Sequence, residues 1–232
     1  MSSLESHSKA YLAWFSGALF FLYQYILRVA LGVMVDELRY TFHLTAQEFG
    51  ALGAYYLYTY SLLQIPLGLV LDRLGVRRTL LSSIVLCMGG TLLMAMSTQF
   101  WMMALSRIII GAGSAVAFMG TLKIAADYLP AGKRGLLMGA TLAMGTVGAL
   151  TAGKPVIYLL QFMQWQHIML CTLFIGLAVF VLGFYALPPK DRTQISRDEA
   201  PCLFHKTRIT EVFFTFIEKI STIVKNKTVM LY

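Results

Sequence analysis

The chain has 232 residues, of which 58% are hydrophobic and 13% charged, and its formal net charge is +8. A soluble domain carries about 25% charged residues, so this composition excludes a water-soluble fold and defines an integral membrane protein. The cations fall in short breaks between apolar runs, which favours anionic lipid headgroups over nucleic acid as their partner.

Residues 1–9 are short and polar and are expected on the cytoplasmic side. A six-helix transmembrane bundle is predicted over residues 10–187, with spans near 10–35, 48–71, 79–96, 101–129, 135–160 and 167–187. Each is long enough to cross about 30 Å of hydrocarbon. The first run is too long for a signal-peptide core and lacks a clear cleavage site, so it reads as a retained helix. Residues 36–47 carry Asp36 and Glu37 against Arg39, which suits an outer loop. Pro188 and Pro189 stop the last span. A cytoplasmic linker is predicted over 188–227, with an amphipathic helix near 204–225 whose apolar positions recur at steps of three and four. Residues 228–232 turn apolar again and read as the start of a seventh span that is cut short.

The turn between spans 2 and 3 is the densest patch of charge. Asp72, Arg73, Arg77 and Arg78 surround Gly75, where a backbone reversal is easiest without a Cβ. Its arginines place the turn inside by the positive-inside bias. Lys133/Arg134 and Lys190/Arg192/Arg197 fall on the same side, while the opposite turns hold almost no cations. Both ends are therefore expected in the cytoplasm.

Ionisable groups within the spans carry the chemistry. Each costs at least about 2.5–3.5 kcal/mol on insertion scales. Arg28, Arg107 and Lys154 each lie about seven residues from the outer end of their span, roughly 10 Å below the boundary. They are expected at one depth, open to one cavity. No Asp or Glu of the six spans lies near that depth. Gln24 and Arg28 share a face of span 1; Tyr56, Tyr60 and Gln64 share one on span 2; Arg107, Gly111 and Ser114 share one on span 4. Guanidinium, phenol and amide groups together suit a small solute bearing a carboxylate. Lys123 is expected to pair locally with Asp127, four residues on. Cys87, Cys171 and Cys202 form no spaced motif and read as unpaired thiols. No metal, cofactor or enzyme signature is present in the sequence.

Gly68-x-x-x-Asp72-Arg73-x-Gly75-x-Arg77-Arg78 resembles the signature loop between helices 2 and 3 of major facilitator superfamily transporters. Arg107-x-x-x-Gly111-Ala112-Gly113-Ser114 resembles the family's span 4 signature, with Ile110 where a glutamine is usual. The glycine-proline signature of drug/proton antiporters is absent, since Lys154 stands between Gly153 and Pro155. The run Gln24–Arg28 with Gln64-Ile65-Pro66 is similar to bacterial members that carry amino acids, short peptides or organic anions, and to the lysosomal dipeptide carrier.

The resemblance implies an all-α fold, half of a twelve-helix carrier working by alternating access, in the bacterial inner membrane. It implies a solute site on Gln24, Arg28, Tyr56, Tyr60, Arg107 and Lys154. It implies a gate on Gly68, Asp72, Arg73, Gly75, Arg77 and Arg78 that meets the other half. The partner is then a missing carboxy-terminal half or a second copy. The alternative is a truncated or non-transporting membrane protein that acts only by pairing with a partner.

Overall fold

The computed structural model describes residues 2–188. The expected amphipathic helix and the apolar stretch 228–232 lie outside the described residues. Those described are helical: α1 (Ser2–Val33), α2 (Val35–Phe42), α3 (Ala46–Leu74), α4 (Val76–Ala95), α5 (Phe100–Tyr128), α6 (Arg134–Ala152), α7 (Lys154–Leu160) and α8 (Trp165–Ala186). A short 3-10 turn, Ala131–Lys133, precedes α6.

Among the described residues, five segments are long and apolar enough to cross a membrane: Ser8–Val33, Val76–Ala95, Phe100–Tyr128, Arg134–Leu160 and Trp165–Ala186. The sixth expected span is α3, whose 29 residues give ample length. It is less apolar because Tyr55, Tyr56, Tyr58, Thr59, Tyr60, Ser61 and Gln64 crowd its middle. The architecture is a six-helix membrane bundle. α5 sits centrally, packed on α1, α3 and α4; α1 also packs on α6 and α8, and α4 lies beside α8.

Two departures from the expected spans stand out. The outer loop holds a helix, α2, whose Leu38 is fully buried. Span 5 is broken at Gly153, which closes α6, while Lys154 and Pro155 open α7. Proline at the start of a helix gives up a backbone donor that has no partner there anyway.

Tight turns and close approaches set the frame. Gly75 has φ of 81°, in the region that favours glycine, and serves as both C-cap of α3 and N-cap of α4. At the start of α3, Thr45 caps the helix: its hydroxyl accepts from the Glu48 amide, and Glu48 accepts from the Thr45 amide in return. Helix backbones meet closely where glycines remove the Cβ. A Cβ at Gly111 would lie 2.6 Å from the Tyr56 carbonyl oxygen, which is backbone against backbone between α3 and α5.

Candidate functional site

A polar cluster lies where α1, α3 and α5 meet. The Tyr56 hydroxyl donates to Gln24 Oε1 at 3.0 Å, and both side chains are buried. Arg107 is 2% exposed. Its Nη1 donates to the Leu27 carbonyl at 3.1 Å, and its guanidinium lies 4.8 Å from the centre of the Tyr56 ring. Its Nε has no hydrogen-bond partner among the described residues. Tyr60 stacks on Tyr56 with ring centres 6.0 Å apart. Arg28 is half-buried, with its guanidinium 5.7 Å from the centre of the Tyr25 ring.

The local sequence explains this assembly. Gln24 and Arg28 are one helical turn apart on α1, and Tyr56 and Tyr60 one turn apart on α3. Gly111 lets α5 approach α3, which places Arg107, one turn earlier, against Tyr56. The bond to Leu27 sets the Arg107 guanidinium beside the residue that precedes Arg28. Gln24, Arg28, Tyr56, Tyr60 and Arg107 are thus brought together. Lys154 is exposed at the start of α7, and no hydrogen bond, ion pair or ring contact joins it to the cluster.

Two buried charges need separate accounts. Arg107 is desolvated, and no carboxylate among the described residues pairs with it. Cation–π attraction and one charge-assisted bond offset part of that cost. Arg28 is only half-buried. The arrangement holds one fixed positive charge behind one accessible one, with phenol and amide groups beside them. That chemistry suits an anion with hydroxyl or amide groups.

At the far ends of α3 and α5, Lys123 Nζ donates to Asp72 Oδ1 at 2.8 Å and lies 3.8 Å from Asp127. The pairing expected with Asp127 is therefore the longer contact, and the interhelical one is the hydrogen bond. The sequence held a signal for it. Sixteen residues separate Tyr56 from Asp72 on α3, and sixteen separate Arg107 from Lys123 on α5. Two helices running side by side in the same direction, touching at the first pair, touch again at the second, about 24 Å away. Exchanging the two charges, as Asp72→Lys with Lys123→Asp, is expected to recover at least half of the membrane expression that either single change loses. Fluorescence size-exclusion chromatography reads this, and a double variant no better than the singles contradicts the pairing.

The rest of the signature turn divides. Gly68 is exposed with open space where a Cβ would stand. Arg73 and Arg78 are exposed, whereas Arg77 turns inward to α8. Sequence reasoning missed the Arg77 contact, and also the bond from Trp14 Nε1 to Thr141 Oγ1 at 3.1 Å that ties α1 to α6.

Spans of this length, enclosing a polar interior, define an integral membrane protein. The chain belongs to the Major Facilitator Superfamily, whose profile matches residues 13–231. It is 28% identical over 195 residues to the uncharacterized transporter YybO of Bacillus subtilis, covering 83% of this chain and 44% of that protein. It is 26% identical over 181 residues to the galacturonate transporter of Dickeya chrysanthemi, covering 75% of this chain and 51% of the relative. The fold is similar to that of a bacterial homolog of the human lysosomal transporter Spinster, crystallised inward-facing and unoccupied. The TM-score is 0.65 at 17% identity, over 82% of this chain and 47% of the other. The chain spans about half the length of the curated relatives it matches. These relatives are transporters rather than enzymes.

Proposed function

We propose that the chain supplies the amino-terminal half of a secondary carrier that moves a small organic anion across a bacterial inner membrane by alternating access. Arg107 carries this reading: a fully buried cation with no acid beside it among the described residues creates a positive interior that a carboxylate would neutralise. Arg28 is the group that touches the solute, bidentate on its carboxylate. Tyr60 and the Gln24–Tyr56 pair read the remaining polar groups. Two relatives, a galacturonate transporter and a D-galactonate transporter, support a hydroxylated acid as the solute. Both ends lie in the cytoplasm in this reading, following the cations of the inner turns. The half-cavity is completed by a second six-helix bundle, which meets the exposed face of the signature turn.

The test is uptake of labelled D-galactonate and galacturonate by cells expressing the full-length gene product. Arg28→Ala is expected to cut uptake at least about 30-fold, the loss of one bidentate charge-assisted contact. Surface expression is expected to hold. Uptake that survives the substitution contradicts the anion site.

A further inference from the structure

The end of α8 has a defect that the sequence makes unavoidable. The last carbonyls of a helix have no partner within it. Helices commonly cap the third-last one with a backbone N–H from the first or second residue beyond the C-cap. In α8 the C-cap is Leu187, and the carbonyl in question belongs to Phe184. The next two residues are Pro188 and Pro189, and neither has an N–H. The helix closes its last internal bond from the Leu187 amide to the Gly183 carbonyl at 3.0 Å, and neither of the next two residues has a donor with which to cap Phe184.

Arg77, on the neighbouring helix α4, fills that gap. Its Nη2 donates to the Phe184 carbonyl at 2.9 Å and its Nη1 to the Leu187 carbonyl at 2.9 Å. The guanidinium also lies 5.1 Å from the centre of the Phe184 ring. Three effects therefore act together on one group: two charge-assisted bonds, attraction to the negative end of the helix dipole, and a cation–π contact. Only a planar fork reaches two carbonyls at once, so lysine is no equivalent. The turn is built to present it: Gly75 reverses the chain, α4 starts at Val76 beside α8, and Arg77 follows immediately.

We propose that Arg77 is the C-cap of α8, replacing the backbone donors that Pro188 and Pro189 remove, and that it straps the α3–α4 turn to the point where the chain leaves the bundle. The turn and the end of α8 then move as one body. The role is one of positioning and does not depend on which solute is carried.

Hydrogen exchange of the last turn of α8, measured by mass spectrometry on the full chain in nanodiscs, tests the strap. Arg77→Gln is expected to speed exchange there about tenfold or more, the scale of a lost charge-assisted bond. Arg77→Lys, which can hold one carbonyl, is expected to fall between and guards against a misfolded glutamine variant. Pro188→Ala restores the N–H four residues beyond Phe184. Added to Arg77→Gln, it is expected to return exchange to within about threefold of the parent, since an ordinary backbone bond replaces the lost one. Alone it is expected to change little. Unchanged exchange in both arginine variants, or no recovery on adding Pro188→Ala, overturns the proposal.

Discussion

Arg107→Met is expected to abolish solute uptake, by about a hundredfold or more, while leaving the protein as heat-stable as the parent or slightly more so. The two halves of that expectation come from different terms. Removing the guanidinium loses one charge-assisted bond to Leu27 and the contact with the Tyr56 ring, together about 2–4 kcal/mol. It also removes a desolvated charge that costs at least about 2.5–3.5 kcal/mol in a membrane interior. These nearly cancel, and methionine refills the space with a flexible side chain. Replacing buried charges with apolar groups is often neutral or stabilising elsewhere. Uptake has no such compensation, because the positive interior that attracts the solute is gone. Thermal unfolding in detergent alongside uptake in cells separates the two. A collapse in stability with methionine would make Arg107 a structural residue and withdraw it from the site.

The second large effect is expected at Gly111. A Cβ there would sit 2.6 Å from a backbone oxygen of α3, and backbone cannot step aside as a flexible side chain can. Gly111→Ala therefore forces α3 and α5 apart, at a cost of about 3 kcal/mol, the upper part of the overpacking range. The same displacement pulls Tyr56 from Arg107 and from Gln24, so stability and uptake fall together. Gly50 provides the control, since it lies on α3 with open space at its Cβ position. Gly50→Ala is expected to be neutral or mildly stabilising through helix propensity. Equal melting temperatures for the two alanine variants would show that the close approach is not needed.

Much of this arrangement was legible in the sequence, for physical reasons. Apolar runs mark spans, and cations cluster in the turns between them. One helical turn separates Gln24 from Arg28 and Tyr56 from Tyr60, so their faces follow from the 3.6-residue repeat. The height of Arg28 and Arg107 follows from counting residues. Rotation about the helix axis does not. α5 is apolar nearly all round, so its sequence does not say which side faces the core, and only the packed bundle reveals that Arg107 is buried while Arg28 stays half-open. Lys154 shows the same limit: a break at Gly153 re-aims the residues after it, and a residue count across an assumed straight helix takes no account of that. Lys123 had an attractive local acid in Asp127, and sequence proximity hid the better partner on α3. The Arg77 strap was readable only in part. Two prolines announced a helix end without donors, but the arginine that serves it is more than a hundred residues earlier.

Equilibrium binding decides the central claim most directly. Labelled D-galactonate would be titrated against the full-length gene product in nanodiscs, with neutral galactose and cationic lysine as competitors. Carboxylate-bearing acids are expected to displace the label and neutral or cationic solutes to fail, with Arg28→Ala weakening binding at least about 30-fold. Displacement by neutral sugar as readily as by acid, with Arg28→Ala binding like the parent, would contradict a site built on buried positive charge.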